Sequence, residues 1–221
     1  MLDELMSIVT PHHCCGCDKI GSLLCPNCKN NITSDLELFC IVCGCPTINY
    51  ALCKTCRMPF EKAWVVGKRK SVLQRLIGLY KFQRARDGYK VLGDLLLSAL
   101  PELPVDTVIV PIPTTSSHIR ERGYDHMLLI ARYIAHKRGL NLRRVLIRKT
   151  ATKQRQADAT TRVKQAKAAF EISGAIDSDV PYLIIDDVVT TGATIKYAAK
   201  TLRDAGAKHV WVAAIARQTL D

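Results

Sequence analysis

The chain has 221 residues, 48% hydrophobic and 6% aromatic, which is an ordinary globular composition with room for one α/β domain and a small appendage and excludes a disordered or fibrous protein. Its formal net charge of +12 is uneven: residues 66–90 carry eight Lys/Arg against one Asp, residues 143–167 carry nine against one, and the rest of the chain sums to −3. Charge concentrated in this way calls for a polyanionic partner, whether phosphorylated ligand, nucleic acid or anionic membrane, and no apolar run approaches the roughly 18–20 residues of a membrane helix.

The acidic start MLDELMSIV does not read as a signal peptide, so the expected compartment is the cytoplasm. Ten cysteines there call for metal rather than disulfides, because cytosolic thiols stay reduced. All ten precede residue 57, which suggests a Cys-rich zinc-binding module over residues 1–60 and an α/β domain over residues 61–221.

The first segment holds four CxxC pairs: Cys14 with Cys17, Cys25 with Cys28, Cys40 with Cys43, and Cys53 with Cys56. A CxxC turn sets two thiolates on one side of a knuckle, and two knuckles complete a tetrahedral zinc site. Consecutive pairing gives two small ribbons, a cross-braced arrangement is also open, and Cys15 and Cys45 are left over. Few large apolar residues lie here, so metal must supply much of the folding energy.

A strand over residues 63–67 opens the second domain. Two helices follow, with Val72, Leu76 and Leu79 and then Leu92, Leu96 and Leu100 at helical spacing. Between them Tyr80 and Phe82 alternate with Lys81, Arg84 and Arg86, an interleaving that suits the bases and phosphates of single-stranded nucleic acid; the competing expectation puts Tyr80 and Phe82 in the core. A strand over residues 107–113 runs into a hydroxyl-rich loop, Pro113, Thr114, Thr115, Ser116 and Ser117, a candidate anion site with Arg120 and Arg122 nearby to neutralise charge. A helix from Asp125 to about Arg138 stops at Gly139. Residues 149–168 contain almost no large apolar side chain and read as a basic lid. A strand over residues 169–172 follows.

Residues 180–194, VPYLIIDDVVTTGAT, carry the clearest chemistry. Residues 182–185 are a buried-type strand, Asp186 and Asp187 follow where that strand should end, and Val188, Val189, Thr190, Thr191, Gly192, Ala193 and Thr194 turn into a helix. A Thr/Gly loop opening a helix offers amides, hydroxyls and the positive end of a helix dipole to a phosphate. Two carboxylates beside it would repel a bare phosphate and suit hydroxyls or a divalent cation. Ribose diol plus phosphate fits both halves. Strands alternating with helices predict a doubly wound parallel sheet with ligands at the strands' C-terminal ends.

The 180–194 stretch resembles the ribose-phosphate motif of type I phosphoribosyltransferases. With the CxxC pairs, LIGLYKF, VPIP with RERGY, and TATKQ with Arg162 downstream, the chain resembles the ComF family of competence proteins over nearly its whole length. The resemblance implies a type I phosphoribosyltransferase-like parallel sheet flanked by helices with a small N-terminal zinc-ribbon-like module. It implies structural Zn²⁺, and phosphoribosyl pyrophosphate bound with Mg²⁺ by residues 186–194: Asp186 and Asp187 on the ribose hydroxyls, Thr190, Thr191, Gly192 and Thr194 on the 5′-phosphate, with residues 113–117 as the pyrophosphate loop. It also implies a part in DNA uptake at the inner face of the membrane, with other competence proteins and single-stranded DNA as partners. The alternative is active transfer from phosphoribosyl pyrophosphate to an unidentified base. The family more often shows Arg-Gly-Phe-Asn-Gln where this chain has Arg122, Gly123, Tyr124, Asp125 and His126.

Overall fold

The computed structural model describes residues 12–33, 38–48, 50–53, 55–82, 87–148 and 170–218. The expected lid over residues 149–168 lies outside these residues, as do Arg84, Arg86 and Arg162. In chain order the elements are α1 (Pro26–Thr33), β1 (Lys62–Lys68), α2 (Ser71–Phe82), α3 (Gly88–Ala99), β2 (Val108–Pro111), α4 (Ser116–Arg122), α5 (His126–Arg138), β3 (Asn141–Leu142), β4 (Leu146–Arg148), β5 (Phe170–Ile172), β6 (Pro181–Val189), α6 (Ala193–Asp204) and β7 (His209–Arg217).

Five strands form one sheet in the order β1-β7-β6-β2-β3, parallel throughout. Period-two alternation along β6 feeds two cores: Leu183 and Ile185 join Leu76, Leu92 and Ile130 on one face, while Tyr182 and Ile184 join Ile195, Ala198 and Leu202 on the other. The covering helices present matching stripes at i, i+3, i+4 and i+7: Leu73, Leu76, Ile77 and Tyr80 on α2, and Ile195, Ala198, Ala199 and Leu202 on α6. This is the doubly wound parallel sheet flanked by helices that the sequence leads one to expect.

Three local expectations change. Residues 170–172 are no part of the parallel sheet: β5 pairs antiparallel with β4 in a separate two-stranded ribbon. Ser116 and Ser117 are not loop residues, because Thr115 caps α4 by accepting from the His118 amide, which leaves a shorter loop over residues 112–115. The acidic pair lies within β6 rather than after it, since β6 follows β7 as far as Val189 opposite Arg217. On its other side β6 loses β2 after Pro111 pairs with Ile185. The sheet is therefore notched on one side of Asp186 and Asp187.

The Cys-rich segment repeats one device. In each half, the first cysteine of a CxxC donates its amide to the carbonyl five residues on (Cys14 to Lys19, Cys40 to Cys45) and accepts from the amide four residues on (Asp18, Gly44). Asp18 and Gly44 both hold positive φ, 59° and 79°, which the reversal requires. Cys14, Cys15, Leu23 and Leu24 pack into the core beneath α2 and α3, and Phe39 and Ile41 into the opposite core. α1 itself buries no residue.

Candidate functional site

The eight CxxC cysteines gather into two groups, Cys14, Cys17, Cys25 and Cys28, and Cys40, Cys43, Cys53 and Cys56, with the ligand atoms of each group within 4.8 Å of one another. The pairing is consecutive, not cross-braced, and Cys15 (buried) and Cys45 (exposed) belong to neither group. Tetrahedral zinc with Zn–S of about 2.3 Å needs sulfurs about 3.8 Å apart. The Cys17–Cys25 and Cys43–Cys53 sulfurs stand 3.7 and 3.4 Å apart. Within the first group the thiols share hydrogen bonds: burial works to raise the Cys14 thiol but the Cys25, Cys17 and Gly16 amides hold it down at about 6, while the Cys25 side chain and burial push Cys28 up to about 12. The donor sets fit structural zinc.

The second group sits against the sheet's C-terminal edge. Arg217, buried at the end of β7, donates from Nε to the Ile41 carbonyl at 3.1 Å and from Nη2 to the Val42 carbonyl at 3.0 Å. Val42 and Met58 approach Gly192, the αL residue (φ 76°) that opens α6 without a side-chain cap. Thr190, Thr191, Ala193 and Thr194 are exposed around it. In the first turn of α6 the Ala193 amide donates to Thr191 Oγ1 at 3.4 Å, and the N-cap Gly192 supplies no side chain for the amides beyond it.

A cleft of about 250 Å³ opens at the notch beside β6, lined by Asp186, Asp187, Val188 and Thr194, by the 112–115 loop, and by Lys81, His118, Arg122, His126, Met127 and Arg148. The backbone brings the two loops together, because the Ile112 amide donates to the Ile185 carbonyl at 2.9 Å. Both acids are buried. Asp187 faces α2 and α5: its Oδ2 receives Lys81 Nζ at 2.6 Å and His126 Nε2 at 2.6 Å. Arg122 Nη1 lies 2.9 Å from His126 Nδ1, and a guanidinium only donates, so Nδ1 accepts and Nε2 carries the proton given to Asp187. Asp186 Oδ1 accepts the Asp187 amide at 2.9 Å.

These surroundings split the pair. Burial, and then the charge of Asp187, push the Asp186 carboxyl up to about 7. Burial acts the same way on Asp187, but the His126 hydrogen bond and the Lys81 ammonium outweigh it and hold that carboxyl below the usual range. Asp187 is held toward its anion and Asp186 toward its neutral form.

The structure gathers Asp186, Asp187, Val188, Thr194, Pro113, Thr114 and Thr115 about one cleft, while Thr190, Thr191, Gly192 and Ala193 do not line it and Val189 is turned into the core by the alternation of β6. It redistributes the residues expected to meet nucleic acid. Tyr80 offers no stacking face, since it is 1% exposed and its hydroxyl donates to the His126 carbonyl at 2.7 Å. The core expectation for Tyr80 wins because it completes the apolar stripe of α2. Phe82 is 67% exposed, with the Arg122 guanidinium 5.7 Å from its ring. Arg122 is buried and Lys81 is turned into the cleft, whereas Arg120 is exposed. Arg120, Ser116 and Ser117 line a larger adjoining cleft with Arg144, Ile147 and Arg148. His126 and Arg148 went unmarked as site residues in the sequence. The departure from the family's pattern at 126 was the available signal for the first, and Arg148 had none beyond its place in a basic segment.

Paired acids on a central parallel strand, a Thr/Gly loop opening the next helix and a double four-cysteine module define an α/β protein with a candidate ribose-phosphate site and an N-terminal metal module. No protein-family model matches the chain. Among curated proteins it is 29% identical to Competence protein F of Haemophilus influenzae, across 72% of this chain and 73% of that protein. It is 29% identical, over the same shares, to DNA utilization protein YhgH of Salmonella typhi. The chain is thus similar, over nearly three quarters of its length, to a competence protein and a DNA utilization protein. Among solved structures it shows a partial likeness to glutamine phosphoribosylpyrophosphate amidotransferase from B. subtilis, with a TM-score of 0.41 and 20% identity over 57% of this chain and only 25% of that one.

Proposed function

We propose that the chain binds a ribose 5-phosphate ligand, phosphoribosyl pyrophosphate in the first instance, and serves DNA uptake by handling single-stranded DNA. The observation that carries the ligand half is the buried Asp186–Asp187 pair directly beside the uncapped start of α6. The 5′-phosphate takes the amides and hydroxyls of residues 190–194, and the sugar hydroxyls take the carboxylates. Calorimetry with phosphoribosyl pyrophosphate and Mg²⁺ tests it: wild type gives heat and Asp187→Ala gives none, while silence from both would remove the ligand half.

The DNA half rests on the names of the relatives and on the two basic segments. Exposed Arg120 and Arg144, with half-buried Arg148, edge the larger cleft and support this reading. Affinity for single-stranded DNA falls steeply with salt, and Arg120→Ala or Arg144→Ala each lowers the slope by about one. Salt-insensitive or absent binding would contradict this half. The expected site of action is the inner face of the membrane; among the described residues no helix is long and apolar enough to cross one.

One observation favours transfer chemistry as a second reading. The adjoining cleft, about 950 Å³, shares Thr114, Thr115 and Arg148 with the acid-pair cleft and carries Leu146 and Ile147 on its wall. That is space for a base beside the sugar. Release of pyrophosphate in the presence of a panel of free bases tests this reading.

A further inference from the structure

The resemblance implies Mg²⁺ alongside the ligand, and Asp187 does not fit a divalent ion. Magnesium takes carboxylate oxygens at about 2.0–2.1 Å in a strict octahedron. Asp187 Oδ2 already receives an ammonium and an imidazole N–H, both at 2.6 Å. The side chains of Lys81 and Asp187 are only 18% and 10% exposed, so little water screens the lysine from a dication on the same carboxylate.

The charge inventory of the cleft agrees. Lys81, Arg122 and Arg148 line it against Asp186 and Asp187, so its fixed charge is already positive with both acids ionised. A phosphate dianion complements that balance and a dication opposes it. The lysine is also held in place. Tyr80, its neighbour on α2, is anchored to α5 through the His126 carbonyl, and Tyr124 donates to the Tyr80 carbonyl. His126 and Arg122 orient Asp187 from the opposite side.

We propose that Lys81 is the resident cation of this site, so that the ribose 5-phosphate part of the ligand binds without a divalent ion. This rests on the ribose-phosphate reading above. Lys81 neutralises Asp187 where it meets the sugar and adds positive field for the phosphate. The site then takes ribose 5-phosphates as the metal-free species.

The test titrates ribose 5-phosphate, which has no diphosphate to carry Mg²⁺, into the zinc-loaded full chain. One buffer is stripped of divalent ions by resin beforehand and the other holds excess Mg²⁺. Wild-type affinity differs by less than about twofold between the two buffers. Lys81→Met loses about tenfold or more in the stripped buffer and recovers part of it with Mg²⁺, while Lys81→Arg stays near wild type. Wild-type binding that requires Mg²⁺ overturns this inference alone and leaves the ribose-phosphate reading standing. Absence of binding in both buffers overturns both. Should Lys81→Met fail to fold, the two-buffer comparison on wild type decides by itself.

Discussion

The Cys-rich segment and the parallel sheet reach their folds by different means. Strand β6 buries eight of its nine residues, and its packing against helices on both faces is ordinary hydrophobic stabilisation. The Cys-rich segment has an α-helix with no buried residue and places its few apolar side chains into the sheet's cores rather than into one of its own. What it has instead is eight converging thiols. Where burial cannot offset chain entropy, metal ligation must, and the two regions should fail under different insults.

The largest separation comes from zinc. Metal analysis should find two zinc ions per chain, one for each cysteine group. Structural zinc is worth roughly 10–16 kcal/mol in apparent terms in small domains, so chelation should abolish the two cysteine knuckles and α1 while the sheet keeps its far-ultraviolet signature. Ligand affinity should fall as well, because Val42 and Met58 back Gly192 and Arg217 ties β7 to Ile41 and Val42. A protein that binds no zinc would break the comparison.

The converse insult is a cavity under the sheet. Leu183→Ala removes a fully buried side chain from the centre of β6 and should cost about 2–5 kcal/mol in chemical denaturation, with zinc content unchanged.

A third effect separates the two acids. Asp186 folds with its carboxyl pushed up to about 7, so the folded protein keeps a proton that an ordinary carboxyl in the unfolded chain has released. Its contribution to stability is full below about pH 4 and is lost as pH rises through about 7, on the order of a few kcal/mol. Asp187, held low, contributes stability of the opposite kind, present above the ordinary carboxylate range and lost only as pH falls below it. Denaturation midpoints of ligand-free protein between pH 4 and 8 should show the decline, and Asp186→Asn should flatten it. An unchanged slope in Asp186→Asn would show that Asp186 is not the group responsible.

The smallest effect sits where the two regions touch. At Gly192 an added Cβ meets Met58 Cε at an ordinary 3.5 Å, so Gly192→Ala costs only the αL backbone penalty, about 1–2 kcal/mol. It should weaken phosphate binding more than it lowers the melting temperature.

Much of this was legible in residue types. Tyr182–Ile185, the acid pair and the Thr/Gly turn state a strand, a polar notch and a helix start in one line, and CxxC spacing states a metal knuckle. What the sequence hid was long-range. Tyr80 and Lys81 are neighbours in an aromatic–basic run, yet α2 turns Tyr80 toward the core and Lys81 toward the cleft. Only the long-range partners decide that: the His126 carbonyl at the start of α5 for Tyr80, and Asp187 on β6 for Lys81. Arg148 reaches the cleft because β4 leaves the main sheet to pair with β5, a partnership no local pattern announces. The acids' place inside β6 depends on β7 running on to Arg217 after β2 has left, a fact about neighbours rather than about residues 186 and 187 themselves.

A crystal structure of the zinc-loaded chain soaked with ribose 5-phosphate tests the central claim most directly. The account predicts the phosphate against the amides of residues 190–194, the sugar hydroxyls on Asp186 and Asp187, and Lys81 still in contact with Asp187. A phosphate seated among Arg120, Arg144 and Arg148, with the acid pair untouched, would contradict it.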